Sequence, residues 1–137
     1  MFTDVIARCT PYRTNTVYKA APLLVKVRLA LQRFMDGCAQ VEDYDLLATT
    51  IGETEVRYAQ IARSTQNPVR ESMEAAGQAM LRARDRWERL GQLGLDGVGI
   101  TALKEAVVLY EEVLLASSPQ QMHNARKALA RILTSKA

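Results

Sequence analysis

Apolar residues recur along this chain at spacings of three and four, and no stretch alternates with period two. That pattern predicts an all-α protein, an antiparallel bundle of four to five helices joined by short loops. Residues 1–14 read as an irregular N-terminal arm around Pro11, and residues 15–137 as a single helical-bundle domain. The first helix is expected from about Asn15 or Pro22 to Asp36, with Leu24, Val27, Leu31, Phe34 and Met35 on its apolar face. Gly37 is a natural terminator because it tolerates positive φ. Pro22 either kinks a longer helix or starts a shorter one. The second helix opens near Val41, where Glu42, Asp43 and Asp45 meet the positive end of the helix dipole. Tyr44, Leu47, Ile51, Tyr58 and Ile61 mark its buried stripe, and Gly52 weakens its middle by about 1 kcal/mol relative to alanine. It fades over Ser64 to Gln66.

The third helix carries the most regular signal. Asn67 can cap it, Pro68 fits its first position, and it should run to about Leu90. Val69, Met73, Ala76, Met80, Ala83, Trp87 and Leu90 step by 4, 3, 4, 3, 4, 3, an unbroken heptad seam. Small Ala76 and Ala83 would let a neighbouring helix approach closely. The seam can face this chain's own helices or a second copy, and periodicity serves both. After the glycine-rich joint Gly91–Gly99, a fourth helix presents Leu103, Val107, Tyr110 and Leu114 and ends near Ala116. Ser118, Pro119 and Gln121 satisfy a capping box with proline at the first helical position. They open a fifth helix with Met122, Ala125, Leu129, Ile132 and Leu133 on one side.

Composition narrows the chemistry. With 137 residues, 48% apolar and 24% charged, the chain suits one folded domain rather than a disordered segment. Cys9 and Cys38 make neither a CxxC pair nor a disulfide framework, and two free thiols in a cytoplasm are expected. No basic n-region precedes an apolar stretch at the N-terminus, so no signal peptide is read there. The longest apolar-rich segment, Ala20 to Leu31, is broken by Pro22, Lys26 and Arg28, so no membrane span is expected.

Catalytic and cofactor chemistry finds little support. The Gly91–Gly99 joint lacks the lysine and hydroxyl of a phosphate-binding G-x-x-x-x-G-K-[ST] loop, and no strand precedes it. His123, the one histidine, has no partners at diagnostic spacing and reads as a surface or boundary residue. Glu42, Asp43, Asp45, Glu53 and Glu55 lack the Glu-x-x-His pairs of bundle di-metal sites and read as a dipole-complementing start followed by a solvated face. No catalytic residues, cofactor, metal or small-molecule ligand are therefore expected, and the protein reads as no enzyme.

Two patterns bear on nucleic acid. The run Leu47-Ala48-Thr49-Thr50-Ile51-Gly52-Glu53-Thr54-Glu55-Val56 is similar to the middle of a helix-turn-helix. Glu53 and Glu55 would then face a polyanion at the start of the recognition helix, and one continuous helix through Gly52 is simpler. Arg82, Arg86 and Arg89 lie on a face of the third helix away from the seam. Arg126, Lys127, Arg131 and Lys136 make the fifth helix basic, with no acid between Ser118 and Ala137. These cations can meet phosphates or an acidic partner. The local alternative is pairing, since Asp85 stands three residues after Arg82 and four before Arg89, and late cations suit a C-terminal dipole.

Gly37-x-Ala39, then Asp43-Tyr44 opening a helix, then a long helix ending in Gly91-Gln92-Leu93-Gly94-Leu95-Asp96-Gly97 resembles a group of short helical bacterial proteins. These are encoded in prophages, plasmids and genomic islands, and their activity is unassigned. The likeness spans about Leu29 to Leu115 through dispersed positions. It implies a small accessory or regulatory protein of a mobile element and carries over no catalytic residues.

The formal charge of +3 resolves into alternating segments: +4 over 1–40, −3 over 41–66, +1 over 67–91, −3 over 92–117 and +4 over 118–137. Segments of both signs can pair internally or meet a protein partner. The expectation is a non-enzymatic interaction protein working through helix surfaces, with a protein partner or a second copy as a homodimer. A nucleic-acid-binding regulator using the basic faces is the alternative.

Overall fold

A computed structural model of the chain describes residues 17–61 and 68–135. The N-terminal arm with Cys9, the fading of the second helix at Ser64 to Gln66, the Asn67 cap and Lys136 lie outside those residues. Five helices follow in order: α1 (Val17–Met35), α2 (Val41–Ile61), α3 (Pro68–Leu90), α4 (Gly97–Leu115) and α5 (Pro119–Ser135). There is no strand among the described residues, and the protein is all-α.

Local chemistry explains the ends. Pro22 sits inside α1, so the longer of the two expected helices forms. Gly37 ends α1 at φ 74°, with Cys38 N–H donating to the Arg33 carbonyl (2.9 Å) and Gly37 N–H to that of Phe34 (3.3 Å). That pairing satisfies two carbonyls of the last turn and requires the left-handed conformation that glycine supplies. Gly91 repeats the device after α3 at φ 69°. Asp96 caps α4 by accepting from Gly99 N–H. The capping box of α5 closes both ways: Gln121 N–H donates to Ser118 Oγ (3.1 Å), and Ser118 N–H to Gln121 Oε1 (2.9 Å).

The topology turns on α2, which packs against each of the other four helices. α3 lies along α4, α1 also touches α4, and α5 makes its substantial contacts with α2. Leu47, Ile51, Tyr58 and Ile61 fill the centre as expected, Tyr44 is half-buried, and Leu103, Val113 and Leu114 of α4 close the core.

A helix with neighbours on so many sides has little solvated face left: Glu42 and Asp43 stand in the first turn as expected, but the solvated-face reading is overturned for Glu53. Glu42, Asp45 and Glu55 are exposed, but Asp43 and Glu53 each retain 4% of their accessible surface. Each carboxylate has recruited an arginine from another helix. Arg33 Nη1 of α1 lies 2.7 Å from Asp43, whose other oxygen accepts from Gln40 N–H, and Arg126 Nε of α5 lies 2.8 Å from Glu53. Arg57, also buried, donates from Nε to Ser117 Oγ at the α4–α5 joint (2.8 Å). Thr50 and Thr54 turn their hydroxyls back to the carbonyls four residues earlier. Among the described residues no buried side-chain polar atom lacks a hydrogen-bond partner, as a packed interior demands.

Gly52 belongs to the same packing. α2 runs through it unbroken, without the turn of a helix-turn-helix, and a β-carbon there would stand 2.9 Å from both methyls of Leu129. The missing side chain is the seat of α5. Beyond that seat α5 departs from its expected stripe. Met122 and Ala125 are buried, whereas Ile132 and Leu133 are 42% and 62% exposed.

Removing the Arg126 guanidinium leaves Glu53 buried and charged, whereas Glu53→Gln keeps a neutral hydrogen-bonding group. Urea unfolding should show Arg126→Ala costing about 2 kcal/mol, because the carboxylate loses its partner although the half-exposed site admits water in its place. Glu53→Gln should cost about 1 kcal/mol. Equal or reversed costs would contradict the pairing. Gly52→Ala should stabilise by about 1 kcal/mol when Leu129 is also alanine, and by clearly less when Leu129 is present. A double-mutant cycle reads that coupling.

Candidate functional site

The heptad seam of α3 divides at Ala83. Val69, Met73, Ala76, Met80 and Ala83 are each at most 3% exposed, with Ala79 buried beside them, so this stretch faces the chain's own helices. Trp87 and Leu90 continue the spacing but are 41% and 62% exposed. The last turn of α3 therefore projects beyond its cover. A hint of this is present in the sequence, because every residue from Arg84 to Arg89 other than Trp87 is charged. A helix turn that is charged all round belongs in water.

Trp87 stands where the α1–α2 joint and the α3–α4 joint meet, at one end of the bundle, and forms a wall of two grooves. The first, about 400 Å³, lies towards α2 and is lined by Val41, Tyr44 and Leu93, with Arg84, Asp45 and Glu88 as its charged members. The second, about 630 Å³, runs between residues 34–40 and residues 91–95. Met35, Ala39, Leu95 and Ile100 contribute apolar lining, but Gln40, Gln92 and the glycines of both joints make its exposed surface mainly polar, and Arg86 is its one charged lining residue. Exposed Cys38 also borders it.

A third groove, about 240 Å³, contains Arg82, Arg86 and Arg89, so the three cations singled out on this helix do converge. Their charges are largely spent. Arg82 Nε lies 3.0 Å from Asp96 rather than reaching Asp85, and Arg89 Nε lies 3.2 Å from Asp85. Arg86 makes no ion pair among the described residues. Asp96 is held below the ordinary aspartate value of 3.8, first by the Arg82 hydrogen bond and then by the Gly99 amide.

The basic residues of α5 are elsewhere. Arg126 is engaged by Glu53, which raises its already high pKa, while Lys127 and Arg131 are exposed without an ion pair among the described residues. α5 has no packing against α3 comparable to its seat on α2. Tyr110, buried near Glu53, has its phenol pushed up to about 12 by desolvation and then by that carboxylate's charge, so it stays protonated at neutral pH. His123 is exposed on α5. No group of three or more His, Cys, Asp or Glu residues among those described could hold a metal ion. No helix among them is long and apolar enough to cross a membrane.

No family model matches the chain, and neither a curated protein nor a solved structure is measurably similar to it. The site's chemistry is therefore argued from its own geometry. Sequence periodicity pointed to Trp87 and Leu90 as seam and to the arginines as a face. It missed the grooves, because they are made by two joints that are distant in the chain.

Trp87→Ala should lower unfolding free energy by about 1–2 kcal/mol, since a side chain 41% exposed keeps part of its apolar surface covered. Met73→Ala, inside the covered seam, should cost about 2–5 kcal/mol. NMR titration should find Asp96 ionising below 3.8, and Arg82→Ala should move it upward. Because the folded value is depressed, the cap's contribution is present above the ordinary aspartate range and is lost as pH falls through the lowered value.

Proposed function

We propose that the protein is a cytoplasmic, non-enzymatic interaction protein that binds a partner protein at the Trp87 end of the bundle. The observation that carries this reading is the exposure of Trp87 at the shared wall of two grooves. An aromatic anchor between a mainly apolar groove and a mainly polar one, rimmed by arginine, is the composition that dominates protein contacts. A homodimer along the whole seam has no free surface to use, because five of its seven members are covered by the chain itself. A second copy is left only the last turn of α3.

Nucleic-acid binding has weaker support. Phosphate contacts need several uncommitted cations on one surface. Arg82, Arg89 and Arg126 are each paired with a carboxylate. The resemblance to accessory proteins of prophages, plasmids and genomic islands agrees with a contact role. Gly37, Ala39 and Gly91 to Leu95, which carry part of it, all border the larger groove, and Tyr44 borders the smaller. We accordingly extend the proposal to an accessory or regulatory partner of such an element.

A benzophenone side chain installed at position 87 tests this in the native host. The expected result is a discrete crosslink to one protein, absent when the probe sits at position 127 on α5. A crosslink to nucleic acid, or the same adducts from both positions, would overturn the proposal.

A further inference from the structure

The smaller groove specifies its occupant by surface and by sign. Trp87 and Tyr44 line it together with Val41 and Leu93, and its exposed surface is mainly apolar. Its charged members are two carboxylates, Asp45 and Glu88, and one guanidinium, that of Arg84. Arg84 Nε lies 3.3 Å from Glu88, so this pair cancels and the lining keeps one net negative charge. Asp45 carries it, exposed and without an ion pair among the described residues. Nor is that charge absorbed by the start of α2. Glu42 and Asp43 occupy the first turn, Asp45 stands beyond it, and the helix dipole fades within that turn.

Resting on the partner-binding reading above, we propose that this groove receives an arginine side chain of the partner protein, its guanidinium on the Asp45 carboxylate and its stem against Trp87. A groove that is apolar and negative calls for a side chain with a hydrocarbon stem and a cationic head. Arginine fits it better than lysine. Its planar guanidinium stacks on an indole and meets a carboxylate through two parallel hydrogen bonds, whereas an ammonium is a point charge that holds its water more tightly. Tryptophan, tyrosine and arginine are also the side chains that dominate binding energy, and they tend to meet one another across an interface. A groove of about 400 Å³ is near the small end of ordinary ligand clefts, which suits one inserted side chain rather than a whole helix. Its negative sign turns away a phosphate backbone.

Trp87 is the only tryptophan in the chain, so its emission reports occupancy directly. The probe is an acetylated, amidated peptide of sequence Gly-Leu-Xaa-Leu-Gly, with arginine, lysine, citrulline or glutamate at Xaa. Citrulline keeps the shape of arginine and removes its charge. The arginine peptide should bind about tenfold more tightly than the citrulline peptide, as a charge-assisted contact does over a neutral one, with lysine between them. Asp45→Asn should abolish the preference for arginine over citrulline. Glu42→Gln removes the same charge from the same helix outside the groove lining, and it should keep most of that preference. Both positions are exposed, and matching unfolding curves would show that the variants retain the fold.

The proposal is overturned if citrulline or glutamate matches arginine, or if none of the peptides binds. It is equally overturned if Asp45→Asn and Glu42→Gln act alike, which would make the preference a matter of overall charge. An emission shift that grows with protein concentration alone would assign the groove to a second copy. A position-87 crosslink to a partner alongside failure of the arginine peptide would discard the arginine and keep the partner site. Absence of the crosslink discards the partner site itself.

Discussion

A carboxylate with almost no access to water must have a cation against it, and Glu53 at the centre of α2 sets that requirement for the whole bundle. Arg126 meets it from α5, and the same logic joins Asp43 to Arg33 of α1. Such pairs add little net stability over a well-packed apolar alternative. What they enforce is position. Only one placement of α5 on α2 brings Arg126 to Glu53 while Leu129 drops onto Gly52, and slipping by one turn would orphan a buried charge and drive Leu129 against side chains.

The central place of α2 has a consequence at the bundle's ends. Four helices are arranged around it, and α3 is longer than the cover they provide. Its first five seam positions are consumed internally, and its last turn reaches the two joints with Trp87 still open to solvent. The glycines that stop α1 and α3 in the left-handed conformation let both chains turn sharply at this end, so the groove walls are joints pinned by helix caps. A pre-formed concavity of this kind loses little ordering entropy on binding.

Much of the architecture was legible in the sequence because helices announce themselves locally. The 3–4 spacing placed five helices, Gly37 and Gly91 mark their ends, and Ser118 with Gln121 forms the expected capping box. The misreadings share one cause, which is that burial is decided between helices. Glu53 looked solvated, and Asp43 looked like no more than a dipole-complementing start, because nothing local says that α2 will be surrounded. Gly52 looked like a weak point because Leu129, its reason, is 77 residues away in the chain. The arginines of α3 read either as a phosphate-binding face or as local pairs with Asp85; Arg89 does pair with Asp85, but Asp96, which takes Arg82, comes from the following joint. Ile132 and Leu133 followed the stripe faithfully, and the core simply ends before them.

The claim that α2 is the axis on which every other helix depends is tested most directly by native-state hydrogen exchange resolved to single amides. Amides from Leu47 to Tyr58 should be the slowest in the protein and should exchange only through global unfolding, with free energies equal to that from denaturant. Amides of the last turn of α3 and of α5 beyond Leu129 should open locally at lower cost. Faster exchange in α2 than in the middle of α3 or α4 would contradict the account.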